Sequence, residues 1–361
     1  MRILVVNAGS SSLKLRVLDD EDALQGTADL PVPGDDDPGE DIAEAIRGFG
    51  GIDAVGHRIV HGGSDYSDPV LISDEVVARL RALVDYAPLH QPKSLSALAG
   101  VAAVLPDIPS VACFDTAFHA DLPASASTYA LPREWRIRWN LRRFGFHGLS
   151  HDYASGRAAQ LIGRPREELR IVTAHLGAGA SLAAVAGGRS VDTTMGFTPL
   201  EGLVMATRSG SVDPGLVLWL QEHAGMPSAE LASTLEQRSG LLGLAGTADM
   251  KEIVDNAAAG DGDAIMAFDV YIHHVRAGIA SMVAAMAGLD ALVFTGGVGE
   301  RSAPVRAAAA SGLEFLGVGL AESPLSDRDR EISRPGATVR TFVVEAREDL
   351  QIAREVRRVL G

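Results

Sequence analysis

The sequence predicts an α/β protein built from two duplicated lobes, and three observations support this fold class. In "VVNAGSSSLKL" a buried strand, a turn rich in glycine and serine, and a second strand follow one another. The same pattern returns in "TAHLGAGASLA", where His175 lies 168 residues after Asn7. A third buried strand, in "DALVFTGGVGERS", also ends in a glycine turn, and a helix follows it. Recurrence of a strand pair in this way indicates an internal duplication.

Hydrophobic spacing predicts the remaining elements along the chain. The first strand pair covers 3–6 and 13–18, and the segment "PVPGDDDPGEDI" after it is expected to be an exposed loop because it is rich in Pro, Gly and Asp. Strands are also predicted in "PSVACFD", which ends at Asp115, and in "TVRTFVVEARED", which leads into a final helix. Asp213 followed by Pro214 is typical of a helix start. Helical spacing covers four further segments: 74–86, 94–105, 151–162 and 261–287.

Composition excludes several functional classes. A chain of 361 residues, 47% of them hydrophobic, is long enough for two cores. Its net charge of -15 argues against a nucleic-acid surface. The single cysteine, Cys113, excludes an internal disulfide and a Cys-rich zinc site, which fits a reducing cytoplasm. No apolar run has membrane-spanning length, and the N-terminal apolar stretch is too short for a signal peptide, so we expect a cytoplasmic protein without a membrane partner.

The glycine-rich turns suit an anionic phosphate. They offer small side chains, approachable backbone N–H groups and, in the first turn, hydroxyl donors with Lys14 just beyond. An ordinary hairpin turn remains the alternative, since glycine and serine favour such turns in any case. Neither G-x-G-x-x-G with an acidic ribose partner nor G-x-x-x-x-G-K-[ST] occurs, so a Rossmann domain and a P-loop enzyme do not fit. The remaining interpretation is a nucleotide held between two duplicated lobes.

The chain resembles the acetate kinases, a family related to sugar kinases, Hsp70 chaperones and actin. The motifs "VNAGSSSLK", "GHRIVHGG", "APLHQP", "FDTAFH", "RRFGFHGLSH", "HLGAGAS", "MGFTPLEGLVMATRSGSVDPG", "FTGGVGE" and "REDLQIARE" occur in the family's order. The resemblance implies two actin-like, ribonuclease H-like lobes with a nucleotide cleft between them. The first is expected at 1–118 plus 349–361, and the second, which also carries the dimer contacts, at 119–348.

The same resemblance implies a reaction. It is the reversible transfer of the γ-phosphoryl group of ATP to acetate or another short-chain carboxylate such as propionate, giving acetyl phosphate and ADP by direct in-line transfer. Mg²⁺ is the expected metal, and Mn²⁺ is expected to substitute for it. The family is homodimeric, so a homodimer is expected.

Making an acyl phosphate brings three negative groups together, so cations must surround the reacting phosphorus. The resemblance assigns Arg58 to a bidentate clamp on the acceptor carboxylate and Arg208 to the phosphoryl group, both in Gly-flanked turns, although a surface salt bridge is the ordinary role of an isolated arginine. His147 matches the family's histidine that donates to the phosphoryl oxygens in the transition state. Asp115 matches its essential aspartate near substrate and metal, with a turn cap as the alternative.

The resemblance also supplies an acceptor pocket and a metal site. Four apolar residues fall on the family's methyl pocket, where acetate fits best and propionate next: Val60, Leu89, Phe146 and Pro199. His90 is a weaker candidate, and a core histidine is its alternative. Asn7 and Glu348 match the magnesium-linked residues, and Mg²⁺ needs few protein ligands because it keeps most of its waters. Core packing would also explain the four apolar residues, and a helix-dipole acid would explain Glu348.

The nucleotide contacts implied by the resemblance fall into two sets. The phosphates are assigned to Ser10, Ser12, Lys14, His175, Gly177 and Gly179. The adenosine is assigned to Asp249, Met250 and Lys251. The third glycine turn, with Gly297, Val298 and Gly299, is assigned to phosphate and leaves room for the adenosine, and Arg301 after it is assigned to a base or a phosphate. Three departures from the family lie on this side: Ala178 and Arg301 each replace an asparagine, and Met250-Lys251 replace Phe-Arg. Two hypotheses follow, an active acetate kinase that takes a purine nucleotide and a catalytically weak nucleotide-binding regulatory homologue.

Overall fold

A computed structural model gives the elements of this chain over residues 1–9, 12–31, 40–88, 90–321 and 329–361. The strands are β1 (Ile3–Ala8), β2 (Ser12–Leu18), β3 (Leu24–Pro31), β4 (Ala54–Ile59), β5 (Val70–Leu71), β6 (Ser110–Phe114), β7 (Arg170–Leu176), β8 (Ala180–Ala186), β9 (Arg189–Thr193), β10 (Ala291–Thr295), β11 (Arg330–Glu331) and β12 (Arg340–Val343). The α-helices are α1 (Glu40–Phe49), α2 (Asp74–Ala82), α3 (Gln91–Val104), α4 (Ala124–Ser127), α5 (Arg133–Trp139), α6 (Gly148–Ile162), α7 (Pro214–His223), α8 (Ser228–Gln237), α9 (Gly240–Ala245), α10 (Met250–Ala258), α11 (Gly262–Met286), α12 (Gly296–Arg301), α13 (Ala303–Ser311) and α14 (Glu348–Leu360).

The strands form two six-stranded sheets of the same topology. The first has the order β3-β2-β1-β4-β6-β5, and the second, read in the matching direction, β9-β8-β7-β10-β12-β11. In each sheet three adjacent strands are parallel, and the strands on either side of them run antiparallel. Ile3 lies beside Ala54 in the first sheet as Ile171 lies beside Ala291 in the second. The predicted α/β fold with an internal duplication is confirmed.

The two repeated hairpins differ in the length of their turns. Ala8 pairs with Leu13 in the first hairpin, whereas Leu176 pairs with Ala180 in the second. The second turn is therefore one residue shorter. The constant offset found in the sequence holds for the first strand of each pair and not for the second strand.

The chain divides into two compact units, each containing one sheet. Unit 1 comprises Met1–Ala120, Phe146–Tyr153 and Arg347–Gly361, and unit 2 comprises Asp121–Gly145 and Ala154–Ala346. Residues 119–120, 146–153 and 347–348, which the sequence analysis placed in the second lobe, fall in unit 1. For 146–153 one reason is a hydrogen bond from the Gly148 N–H to the carbonyl of Asp115 at 2.9 Å.

Unit 1 has an apolar core between its sheet and the helices α1 and α3. Leu13, Leu15 and Val17 of β2 are fully buried, whereas Lys14 between them is exposed. This alternation is the period of two that a strand with one buried face requires. Val101 of α3 is also fully buried in this core.

Helix α1 corrects the expectation of a loop over "PVPGDDDPGEDI". Residues 32–39 of that segment lie outside the described residues, but Glu40 starts a helix. Ile42 and Ile46, one helical turn apart, are both buried, and burial of that face outweighs the polar composition of the first turn. Acidic residues at a helix N-terminus also interact favourably with the helix dipole. Strand β3 before it was not predicted.

Unit 2 packs the long helix α11 against β7 and β8. The strands β7, β8 and β10 are almost entirely buried, as strands covered on both faces are. Asp261 caps α11 by accepting from the Ala264 N–H at 2.8 Å. Helix α7 starts as predicted, with Asp213 accepting from the Gly215 N–H at 2.9 Å and Pro214 at its first position.

Two further expectations need correction. The helix expected over 74–86 ends at Ala82, because the Leu83 N–H bonds three residues back to Leu80 and tightens the last turn.

Arg58, expected in a turn, lies inside β4. The nearby glycine, Gly56, serves close packing instead, since a Cβ there would lie 2.5 Å from the side chain of Ile352 on α14.

The structure also bears on the single cysteine and on membrane-spanning helices. Cys113 is a free, buried thiol. Within the described ranges no helix combines the length and the apolar character needed to span a bilayer.

Candidate functional site

Four polar side chains meet in unit 1 near the carboxyl ends of parallel strands. Asn7 lies on β1, Arg58 on β4, and Asp115 directly follows β6. Glu348 is the first residue of α14 and comes from the other end of the chain. Because β1, β4 and β6 are neighbours in the sheet, Arg58 and Asp115 meet although they are 57 residues apart.

Arg58 is the centre of this cluster. Its Nε and Nη2 atoms donate to the two carboxylate oxygens of Asp115, at 2.9 and 2.5 Å, and its Nη1 donates to Oδ1 of Asn7 at 3.1 Å. Oε2 of Glu348 accepts from Nδ2 of Asn7 at 2.8 Å and lies 3.9 Å from Nε of Arg58. Among the described residues these bonds use three of the five guanidinium N–H groups, which leaves one on each terminal nitrogen.

Burial and charge act on this pair in opposite directions. Burial alone would lower the pKa of Arg58, but the negative charges of Asp115 and Glu348 raise it overall, so the guanidinium stays protonated. Burial raises the pKa of Asp115, while Arg58 and a hydrogen bond from the backbone of His147 favour its carboxylate form. Because both carboxylate oxygens accept from one guanidinium, we assign an ionised, bidentate pair.

His147 has an unusual backbone conformation beside Asp115. Its φ is 56°, in the left-handed region that residues other than glycine seldom adopt. The next residue, Gly148, starts α6, and a Cβ there would overlap the carbonyl oxygen of Asp115, so only glycine fits. Strain of this kind concentrates at functional sites. Here the strained residue is the predicted transition-state histidine.

The residues predicted for the acceptor pocket are distributed over both units. Val60 and Phe146 are buried in unit 1, and His90 is half-buried and immediately precedes α3. Pro199 is buried in unit 2. Leu89 lies outside the described residues.

Sequence reasoning missed two buried polar residues next to these positions. His61 follows Val60, and its ring lies 5.3 Å from that of Tyr86 and 5.5 Å from that of Phe146, between centroids. Gln91 accepts from the His61 N–H and donates to its carbonyl, both at 3.2 Å. Burial lowers the pKa of His61 to about 4, so the ring is neutral at pH 7. The motifs "GHRIVHGG" and "APLHQP" contain both residues, but nothing in the sequence indicates that they pair.

In unit 2 the two predicted phosphate turns lie side by side. Because β7 and β10 are parallel neighbours, the turn after β7 and the start of α12 reach the same edge of the sheet. A Cβ at Gly177 would lie 3.6 Å from Nε2 of His175 and 4.0 Å from the backbone nitrogen of Gly297. Gly296 has a φ of 76°, and a Cβ there would lie 2.8 Å from the carbonyl oxygen of Leu176. The glycines therefore allow the two backbones to approach closely.

The loop that carries Arg208 contacts the first of these turns. The Ala206 N–H donates to the carbonyl of Ala178 at 3.1 Å, a backbone contact that does not depend on the side chain at 178. Arg208 is half-buried, and its Nη1 lies 3.4 Å from the carbonyl oxygen of Pro199 and 3.7 Å from Sδ of Met205. Arg208 and Pro199, both predicted for the site, are thus adjacent in unit 2.

The residues predicted for the adenosine lie at helix ends. Asp249 caps α10 by accepting from the Lys251 N–H at 2.8 Å, and the Lys251 ammonium pairs with Asp255 at 2.8 Å. Met250 is buried, so its side chain belongs to the core. Arg301 is exposed at the end of α12.

The predicted residues therefore divide between the two units. Unit 1 holds Asn7, Ser12, Lys14, Arg58, Val60, His90, Asp115, Phe146, His147 and Glu348. Unit 2 holds His175, Gly177, Gly179, Pro199, Arg208, Asp249, Met250, Lys251, Gly297, Val298, Gly299 and Arg301. Ser10 lies outside the described residues.

A buried arginine that the sequence did not reveal supports the second glycine turn. Nη1 of Arg306 donates to the carbonyls of Gly299 and Glu300, both at 2.8 Å. Carbonyls near a helix C-terminus have no partner within the helix, so Arg306 satisfies two of them in the short helix α12. Burial lowers the pKa of Arg306.

Comparison with known proteins identifies the relatives of this chain. The Acetokinase family model matches residues 42–354. The acetate kinase of Geobacillus kaustophilus (strain HTA426) is 45% identical over 317 residues, which cover 87% of this chain and 80% of that protein. The crystal structure of Porphyromonas gingivalis acetate kinase has a TM-score of 0.90 and 34% identity, covering 100% of both chains. That of a propionate kinase from Francisella tularensis subsp. tularensis SCHU S4 has a TM-score of 0.91 and 34% identity, covering 99% of both.

Proposed function

This chain belongs to the acetate kinase family, and we propose that it transfers the γ-phosphoryl group of ATP reversibly to acetate by a direct in-line step. The resemblance drawn from the motifs is confirmed, and the chain is a phosphotransferase with a carboxyl acceptor. The observation that supports the reaction most strongly is the buried cluster of Arg58, Asp115, Asn7 and Glu348. Propionate is the second acceptor, since a propionate kinase is among the similar structures.

Positive charge is the main requirement of this reaction, because acceptor, phosphoryl group and leaving ADP are all negative. We assign the two remaining N–H groups of Arg58 to the acceptor carboxylate, whose two oxygens suit a paired donor. Asp115 and Asn7 hold the guanidinium plane through the other three. Arg208 and the imidazole of His147 are assigned to the phosphoryl oxygens, where charge develops in the transition state.

The phosphates are assigned to the two glycine turns of unit 2 and to the first hairpin turn of unit 1. The absence of a side chain at Gly297 leaves its backbone N–H accessible to phosphate oxygens. The Gly177 N–H donates to the carbonyl of Gly179 at 3.0 Å, so we assign Gly177 to the close approach of the two turns. His175 lies beside the same turn and adds a side-chain donor. Ser12 and Lys14, on β2 after the corresponding turn of unit 1, are assigned to the phosphates as well, and Lys14 is exposed.

The donor set in unit 1 suits Mg²⁺ or Mn²⁺. The Glu348 carboxylate and the Asn7 amide offer hard oxygen atoms, and Asn7 Oδ1, which accepts from Arg58, has a second lone pair for a cation. A cation that keeps most of its waters needs few protein ligands. We assign these two residues to the metal. When bound, the ion neutralises charge on the nucleotide phosphates. In the described part of the chain, no group of three or more His, Cys, Asp or Glu side chains is placed to hold a metal ion.

The proposed function is tested by acetate-dependent release of ADP in a coupled assay with ATP and Mg²⁺. An active enzyme releases ADP only when acetate is present and in proportion to enzyme. The alternative is a nucleotide-binding regulatory homologue, which the altered adenosine contacts motivate. Nucleotide binding by calorimetry without acetate-dependent ADP release would favour that alternative.

We also propose that the protein forms a homodimer and functions in the cytoplasm. Support for the dimer comes from α7, where Leu216, Leu218 and Trp219 are 48%, 57% and 52% exposed. Exposed apolar residues of this size on one short helix are typical of an interaction surface.

The acceptor pocket leads to a prediction for Val60. Val60→Ala should improve propionate and butyrate relative to acetate by roughly 1–3 kcal/mol in kcat/KM, because removed methyl groups make room for a longer chain. The ratio of kcat/KM values for the three acids is the measurement. The matched control is Val101→Ala, on the buried face of α3 in the core of unit 1. It should lower stability without changing the ratio of kcat/KM values. A uniform shift for all three acids in Val60→Ala would show that Val60 does not line the pocket.

The departures from the family lead to a prediction for the base. With Ala178, Arg301 and Met250-Lys251 in place of the usual residues, GTP should support turnover within about tenfold of ATP, a gap of about 1.4 kcal/mol that one hydrogen bond can span. Arg301→Asn should then sharpen the preference for ATP. Values of kcat/KM for ATP, GTP, CTP and pyrophosphate in both proteins are the measurement. Strict dependence on ATP in the wild type would mean that Arg301 and Lys251 rebuild an adenine site.

A further inference from the structure

We propose that Tyr129, Arg143 and Glu201 are positioning residues that fix the loop 194–202, and through it Pro199 and Arg208, for the acceptor and the phosphoryl group. The proposal rests on the proposed function, because Pro199 and Arg208 have their roles only in that reaction. All five residues belong to unit 2. The sequence analysis assigned no role to the first three.

Glu201 is held by two donors from distant parts of the chain. Nη2 of Arg143 donates to its Oε1 at 2.6 Å, and the hydroxyl of Tyr129 donates to its Oε2 in a short hydrogen bond. The same hydroxyl accepts from the Phe197 N–H at 2.8 Å. Tyr129 therefore joins both ends of the segment 197–201, which contains Pro199.

Arg143 fixes the start of the same loop. Its Nη1 donates to the carbonyls of Thr194 and Met195, at 3.1 and 2.9 Å. Its guanidinium also lies over the ring of Tyr129, 5.6 Å from the centroid. One arginine thus contacts the beginning of the loop, the carboxylate at its end and the tyrosine that bridges them.

Gly196 packs directly against the side chains of this cluster. A Cβ at Gly196 would overlap both Oε2 of Glu201 and the hydroxyl of Tyr129. The carbonyl of Gly196 accepts from the N–H groups of Phe144 and Gly145, at 3.0 and 3.2 Å. The loop backbone is therefore held from two sides.

The loop continues directly to Arg208. Gly202 makes two hydrogen bonds with Ser211: its N–H donates to the side-chain Oγ of Ser211, and its carbonyl accepts from the Ser211 N–H, both at 3.0 Å. This closes the segment 203–210, which carries Arg208. Nη1 of Arg208 reaches back to the carbonyl of Pro199 at 3.4 Å. A displacement of Glu201 is thus expected to displace Pro199 and Arg208 as well.

The charges agree with this role. Burial raises the pKa of Tyr129, and the Glu201 carboxylate raises it further, so the phenol stays protonated and remains a donor. Glu201 faces Arg143, which carries the balancing charge. The cluster is therefore a satisfied polar network, and no member has the chemistry of an acid, a base or a nucleophile here.

The test compares Tyr129→Phe with Tyr271→Phe. Each variant removes one buried tyrosine hydroxyl from unit 2, but within the described residues the Tyr271 hydroxyl has no hydrogen-bond partner, whereas that of Tyr129 has two. Tyr129→Phe should raise KM for acetate about tenfold through Pro199 and lower kcat about tenfold through Arg208, while KM for ATP stays within about twofold. Tyr271→Phe should leave all three values unchanged.

Glu201→Gln provides a second variant: when the amide oxygen accepts from Tyr129, the amide NH2 faces the Nη2 donor of Arg143, so this variant keeps the bond to Tyr129 and loses both the charge and the bond opposite Arg143. It should shift KM for acetate in the same direction by a smaller factor. Equal changes in KM for acetate and ATP, or none, in both variants would overturn the proposal. Absence of acetate-dependent ADP release from the wild type and from Tyr271→Phe would instead show that the proposed function is wrong.

Discussion

Replacement of Arg58 by alanine is expected to lower turnover by about a hundredfold or more and to destabilise unit 1. The variant removes the guanidinium that we assign to the acceptor. It also leaves the buried carboxylate of Asp115 without its bidentate partner and Asn7 Oδ1 without its donor. Loss of one member of a buried ion pair costs about 3–5 kcal/mol, so both effects are large.

Arg58→Lys separates the two effects. Lysine keeps a positive charge near Asp115 but lacks the paired N–H groups, so stability should recover in part while turnover stays low. Arg79→Ala is the matched control, because it removes an arginine that pairs with Glu75 at the surface of the same unit, and exposed pairs contribute little. Turnover is measured on protein that circular dichroism shows to be folded. Wild-type turnover in either Arg58 variant would exclude this residue from the chemistry.

Replacement of Arg208 by alanine is expected to lower turnover by a similar factor of about a hundred with a much smaller loss of stability. Arg208 is half-buried, and its contacts with Pro199 and Met205 are long, at 3.4 and 3.7 Å. Its assigned task is therefore electrostatic and belongs to the transition state.

The matched control for Arg208 is Arg238→Ala, which removes an exposed arginine from the same unit. The melting temperature and kcat are measured for both variants. We expect similar melting temperatures and a loss of kcat in Arg208→Ala alone. If the melting temperature fell together with kcat in Arg208→Ala, and kcat returned on cooling, Arg208 would have a structural role instead.

Features with a local chemical signal could be predicted from the sequence. The strand pairs around Asn7 and His175 were predicted because two buried strands and a small-residue turn repeat in the same order. Helix α1 was missed, because only Ile42 and Ile46 mark its buried face within a polar and acidic context. Strand β3 was missed since five of its eight residues are exposed and no apolar run marks it.

The site residues were predicted through motifs, but their pairings were not. Nothing in the sequence joins Arg58 to Asp115, because the contact arises only when β4 and β6 become neighbours in the sheet. Arg306 and Glu201 were missed for a related reason. Each is a single polar residue whose partners are backbone groups or distant side chains, and such pairs leave no local pattern.

The most direct test of the account is to trap the product with hydroxylamine. Acyl phosphates react with hydroxylamine to give a hydroxamate, which is measured by its colour with ferric iron. With acetate, ATP and Mg²⁺, the wild-type chain should form acetohydroxamate at the rate at which it releases ADP, and Arg208→Ala should form it about a hundredfold more slowly. Release of ADP without hydroxamate, or equal hydroxamate rates in the two proteins, would contradict the proposed transfer to acetate through Arg208.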